Sequence, residues 1–162
     1  MKKSAVFSPC RRYRYALWRH WGALPGTVDL GYAMFVGLNP STADETNDDP
    51  TIRRCIAFAQ SWGYSGVCMV NLFAFRATYP ADLLQASDPV GPENDAWLKH
   101  FAHHASVVIA AWGVHGTHLA RDAAVKELLP QLHCLRRTKD GHPGHPLYLP
   151  KTLVPQPFAV AA

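Results

Sequence analysis

Asn39 and His145 are the two side chains of this sequence best suited to act on a bound molecule. Asn39 lies in Phe35-Val36-Gly37-Leu38-Asn39-Pro40-Ser41-Thr42-Ala43-Asp44, an apolar run entering a Gly/Asn/Pro turn. His145 lies in Gly141-His142-Pro143-Gly144-His145-Pro146-Leu147-Tyr148, a His-Pro turn after another apolar run. An amide can hold a water or a substrate hydroxyl, and an imidazole can donate a hydrogen bond to a developing negative charge. Taken singly, Asn39 closes an Asx-turn and a histidine in a proline-rich turn is structural. In an open parallel sheet, however, loops leaving the carboxyl ends of strands share one rim, where ligands bind. Distant in sequence, the two can meet there.

Asn71 interrupts the apolar run Val67–Phe73, where a polar side chain is costly unless it finds partners. Its amide offers a donor and an acceptor together, which suits a nucleobase edge and equally suits an Asn bridging two strands. Arg76, just beyond, can meet a phosphate or lie exposed. Asp44, Asp48 and Asp49 follow the Asn39 turn and allow acid/base or metal chemistry, although Asp49 is better explained as a helix cap. His100, His103 and His104 lack the Glu of a zinc H-E-x-x-H helix, since Phe101 follows His100, and read as a solvated face. His115 and His118 stand beside Gly113 and Gly116, but these glycines match no Walker or dinucleotide fingerprint. No G-x-S-x-G elbow occurs.

The elements that must position these residues alternate. Strands are expected at Ala33–Val36, Val67–Phe73, Val107–Trp112 and Leu132–Leu135. The first helix starts at Asp49 as N-cap with Pro50 at its first position, carries Ile52, Cys55, Ile56 and Ala59 on one face, and stops at Gly63. Arg53 and Arg54 fall off that face. Further helices are expected around Ala81–Gln85, Glu93–His104 and Thr117–Leu129, the last closed by Pro130. Such alternation implies right-handed crossovers. The expected fold is an α/β three-layer sandwich around a central, mainly parallel four-stranded sheet.

The chain has 162 residues, 48% of them hydrophobic and 17% charged, which suits one globular domain over 1–162 and argues against extended disorder. Its net charge of +4 favours anionic partners. The excess sits early, with Tyr13, Tyr15, Trp18 and Trp21 interleaved among Lys2, Lys3, Arg11, Arg12, Arg14 and Arg19. This basic, aromatic segment, 1–30, either contacts phosphates and bases or packs its aromatics on the sheet and leaves its arginines solvated. Cys10, Cys55, Cys68 and Cys134 form no C-x-x-C pair and read as reduced, buried small hydrophobes. No signal peptide or membrane-spanning run is visible, so a cytoplasmic protein with no membrane partner is expected.

In order, these pieces resemble the uracil-DNA glycosylase superfamily. Gly37-Leu38-Asn39-Pro40 is similar to its first motif in the mismatch-specific Gly-x-Asn-Pro form. Met69-Val70-Asn71-Leu72-Phe73-Ala74-Phe75-Arg76 resembles the strand whose Asn reads the base and whose Arg begins the next loop. Val107–Gly113 resembles the strand ending in Trp/Leu-Gly, and His145-Pro146-Leu147 the His-Pro-Ser motif, with Leu147-Tyr148 in place of small Ser and Pro. The Asn-Pro-Ser-Thr-Ala-Asp, Asp-Asp-Pro-Thr and His-Pro-Leu-Tyr-Leu-Pro segments also resemble a bacterial domain family of unknown function.

The glycosylase resemblance implies a glycosylase-like fold and hydrolysis of the N-glycosidic bond of a flipped, damaged or modified base in DNA. Asn39 would orient water, His145 stabilise the departing base, and Asp44 stand as an acid/base candidate. Gly37, Leu38, Pro40, Ser41, Asn71, Phe75, Arg76, Pro146 and Leu147 would contact substrate, with Leu147 as a wedge and Phe75 or Tyr79 as the stacking aromatic. No metal, cluster or other cofactor is called for, and the partner is DNA or a nucleotide. Two rivals remain, a non-catalytic module binding a nucleotide or modified base, and a metal-dependent hydrolase using Asp44, Asp48 and Asp49.

Overall fold

A computed structural model describes residues 1–158. Its centre is four parallel strands, β3 (Tyr32–Gly37), β4 (Gly66–Asn71), β5 (Val107–Ala110) and β6 (His133–Cys134). The sheet is larger than the four strands expected. β1 (Lys2–Phe7) and β2 (Arg14–His20) add antiparallel beside β4, and β7 (Gln156–Pro157) pairs antiparallel with β6. The result is a mixed sheet of seven strands in the order β1-β2-β4-β3-β5-β6-β7.

The basic amino-terminal segment therefore belongs to the sheet, and two of its arginines are not solvated. Arg19 is fully buried, its Nε 2.7 Å from Asp48 Oδ1 and its Nη2 2.6 Å from the Asp44 carbonyl. Arg14 is also buried and donates from Nη1 to the Ala43 carbonyl at 2.8 Å. Sequence reasoning went astray here because a buried guanidinium is tolerated only when partners from elsewhere in the chain meet it.

Strand side chains alternate between two cores. Met34, Val36, Val108 and Ala110 face one, where α3 (Asn94–His104) and α4 (Arg121–Leu128) contribute Leu98 and Val125. Ala33, Phe35 and Ile109 face the other, covered by Ile52, Cys55 and Phe58 of α1 (Pro50–Ser61). The remaining helix, α2 (Pro80–Gln85), follows β4.

The ends of α1 follow from local chemistry. Asp49 is extended and accepts the Ile52 N–H at 2.8 Å, while Pro50 needs no donor partner at the first turn. At the other end Gly63 takes φ +87°, with Gly63 N bonded to Gln60 O and Tyr64 N to Ala59 O, the pattern of a Schellman stop. The last expected helix begins later than Thr117. A 3₁₀ turn at His118–Ala120 precedes it, with Leu119 and Ala120 in left-handed conformations. Arg121 then fixes the start of α4 by donating from its buried Nε to the Leu72 carbonyl at 2.8 Å and from Nη2 to Asp95 at 2.5 Å.

All four cysteines are free, and Cys10 is exposed, unlike buried Cys55, Cys68 and Cys134. Among the described residues no helix is long and apolar enough to cross a membrane.

Candidate functional site

The carboxyl ends of β3, β4 and β5 open into a cavity of about 570 Å³. Asn39 comes to it from the loop after β3, Asn71 from the last residue of β4, and His145 from the loop beyond β6. The volume lies in the range of ordinary ligand sites.

Asn71 is buried at the strand end because Gly37, its register partner on β3, has no side chain. A Cβ at Gly37 would lie 2.9 Å from Asn71 Oδ1. Behind it, Asn94 Nδ2 donates to the carbonyls of Asn71 at 3.0 Å and Leu72 at 3.1 Å, which fixes the chain as it leaves β4. Asn71 Nδ2 has no hydrogen-bond partner among the described residues.

Asn39 ties two loops together. Its Nδ2 donates to Pro40 O at 3.0 Å and to Ala77 O at 2.8 Å, leaving Oδ1 as the end of the amide with no bond among the described residues. His145 caps the 3₁₀ turn Pro146–Tyr148, its Nδ1 accepting the Leu147 N–H at 3.2 Å. Burial pushes its pKa below the ordinary 6.5, against the opposing pull of Asp49. At neutral pH the ring is therefore uncharged, with Nδ1 an acceptor and the proton on Nε2.

Arg54 holds this turn on the helix α1. Its Nε donates to Pro146 O at 3.2 Å and its Nη2 to Leu149 O at 2.5 Å. In the sequence Arg54 lies off the apolar face of α1, which is the position from which a long side chain can reach a neighbouring loop.

Of the residues expected to contact substrate, Gly37, Leu38, Asn39, Ser41, Asn71, His145 and Pro146 line the cavity. Pro40, Asp44, Phe75, Arg76 and Leu147 do not. Asp44 instead accepts the N–H groups of Thr46 at 2.9 Å and Asn47 at 2.7 Å, and these bonds hold its carboxyl well below the usual carboxylate range. Phe75 packs edge-on against Tyr13. Leu147 and Tyr148 are exposed, and Tyr148 is 84% accessible beside the opening it partly lines. The three aspartates do not converge, because Asp48 pairs with Arg19 and Lys3 while Asp49 caps α1.

Arg14, Trp112 and Tyr148 are among the lining residues not expected from the sequence, and Asp49, read chiefly as a helix cap, lines the cavity as well. Asp49 Oδ1 accepts the Ile52 N–H, and its Oδ2 has no hydrogen-bond partner among the described residues. Burial lowers Arg14 to about 10, opposed chiefly by Asp49, so the guanidinium stays charged at neutral pH. Arg14 Nε and Trp112 Nε1, like Asn71 Nδ2, are buried donors lacking a partner among the described residues. Leaving such a donor unmet costs about 1–3 kcal/mol.

Searches of curated proteins and of solved structures each return no match to this chain. A family model described as a protein of unknown function, DUF1643, matches residues 14–147, a span that holds Arg14, Asn39, Asp49, Asn71 and His145, and the chain belongs to that family.

Proposed function

We propose that this protein receives a nucleobase in the cavity and hydrolyses its N-glycosidic bond, as the motif resemblance to uracil-DNA glycosylases suggests. The observation that carries the reading is that Asn39, Asn71 and His145, far apart in sequence, line one cavity. Unmet donors on Arg14 and Asn71 supply what the acceptor atoms of a base would use.

In this mechanism a nucleotide leaves its stack and enters the cavity. Asn71 reads the base edge with its amide. Asn39 Oδ1 accepts a hydrogen bond from a water held against the anomeric carbon, and Asp49 Oδ2 takes a proton from that water as its oxygen bonds to the carbon. The carbon–nitrogen bond breaks with its electron pair passing to the base, and the Nε2–H of neutral His145 stabilises the anion that forms. Asp49 supplies the basicity an amide lacks. Tyr148 lines the opening and exposed Leu147 precedes it in the same turn, a pair suited to fill the gap left by a displaced base.

Base release from a panel of normal and modified DNAs, read by mass spectrometry, tests this. Wild type should release one base class, and folded Asn39→Ala and His145→Ala variants should not. Unchanged release in both variants would remove the catalytic assignment.

The bonds from Asn39 Nδ2 to two carbonyls favour a second reading, a binding module in which Asn39 shapes the pocket rather than acts on the ligand. Base binding that survives His145→Ala, with no abasic product from wild type, would select it.

A further inference from the structure

The cavity leaves the arginines beside it without a task. Arg11, Arg12 and Arg76 line, with Phe75, a shallow groove of about 300 Å³. It lies on the same rim, since Arg14 N bonds Ala74 O and Tyr13 bridges Phe75 where β2 begins beyond the end of β4. One residue past Arg76, Ala77 bonds Pro40 through its N–H and Asn39 through its carbonyl, so groove and cavity adjoin at the Asn39 loop.

The guanidinium groups of Arg11 and Arg76 are held in place before any ligand arrives. Arg11 lies 3.9 Å and Arg76 4.8 Å from the centre of the Phe7 ring. Arg76 Nη1 donates to Arg11 O at 3.1 Å, and Arg76 N to Arg12 O at 2.9 Å. Charge is only partly balanced. Glu45 pairs with Arg11 at 3.0 Å, whereas Arg76 meets a neutral carbonyl and Arg12 has no side-chain hydrogen bond or ion pair among the described residues. Planar, preorganised guanidinium groups in a shallow groove suit phosphate oxygens, which accept several such donors at once.

We infer that the groove seats a backbone phosphate of a polynucleotide strand whose neighbouring nucleotide enters the cavity. The phosphate site stands on its own observations, while the link to a nucleotide in the cavity rests on the function proposed above. A strand crossing this rim gains affinity from the groove whatever its sequence and selectivity from the cavity.

The test is fluorescence anisotropy of a labelled DNA oligonucleotide over a salt series, with wild type, Arg12→Gln, Arg76→Gln and the double variant. Each lost phosphate contact should make the slope of log affinity against log salt shallower by about 0.7–0.9, equally for all sequences. An unchanged slope in the double variant overturns the inference. So does competition in which inorganic phosphate or a nucleoside monophosphate occupies the groove as tightly as the oligonucleotide. Asn71→Ala separates the two claims. Retained slope with lost discrimination among bases supports both, and a slope that falls only in the arginine variants while Asn71→Ala changes nothing keeps the groove and removes the nucleotide from the cavity.

Discussion

Gly37 and Asn71 are partners across β3 and β4, and the missing side chain of the first is the space filled by the amide of the second. Asn71 is 4% exposed, so its amide has nowhere else to go without breaking the strand end. A methyl group at Gly37 must displace it. Gly37→Ala should cost about 1–3 kcal/mol as an overpacked site and should abolish discrimination among bases. A urea titration together with ligand binding checks this; a variant of wild-type stability and selectivity would show that the amide moves freely.

Asp49 caps α1 through Oδ1 and lines the cavity, and its Oδ2 has no hydrogen-bond partner among the described residues. Asn caps helices as well as Asp, so Asp49→Asn should leave stability within about 0.5 kcal/mol, whereas Asp49→Ala should lose about 1 kcal/mol. Base release should fall by roughly 10²–10⁴-fold in both. Full activity in Asp49→Asn would remove the carboxylate from the chemistry and leave it structural.

Arg54 carries the turn that presents His145. Arg54→Ala removes two charge-assisted bonds to the carbonyls of Pro146 and Leu149 and should destabilise by about 2 kcal/mol. At this chain length that corresponds to a fall in melting temperature of about 4–8 °C. Arg54→Lys should recover part of it, because an ammonium can reach one carbonyl but not fork to both. Melts of the three proteins read the result.

His145 gives a signed pH dependence. Its pKa in the folded state lies below the unfolded value of 6.5, so the unfolded chain binds more protons between the two. The stability it contributes is therefore complete above about pH 6.5 and declines as pH falls toward the folded pKa, below which the decline stops. Base release should fade as pH falls through the folded pKa, because a proton on Nδ1 ends its bond from the Leu147 N–H and releases the turn that presents the ring. His145→Gln should flatten that portion of the stability curve, measured by melts at stepped pH.

The parallel centre was legible in the sequence because its cues are local. Apolar runs such as Ala33–Val36 are short, and the Asp49-Pro50 start and Gly63 stop of α1 are written in neighbouring residues. Arg14 and Arg19 show where that legibility ends. A guanidinium in a β-rich run reads as solvated until Ala43, Asp44 and Asp48 arrive from another segment to accept its bonds. The candidate site divides in the same way. Asn39, Asn71 and His145 stood out because amides and imidazoles are conspicuous among apolar neighbours and proline turns. Arg54 did not, because a long side chain off an apolar face reads as solvated until a distant loop brings carbonyls to it, and the cap role of Asp49 outweighed its acid/base candidacy.

The two sides of the cavity are tied to the fold by different numbers of side-chain bonds. One is the end of β4, where Asn94 and Arg121 grip the carbonyls of Asn71 and Leu72 from behind, with Asp95 anchoring Arg121 in turn. The other is the short turn after His145, packed through Pro146 and Leu149 and tied to α1 by the single guanidinium of Arg54. A guest of unusual bulk would be accommodated by yielding of the turn, while the face that reads its identity held still. Tolerance of size and strictness of pattern would then reside in separate halves of one pocket.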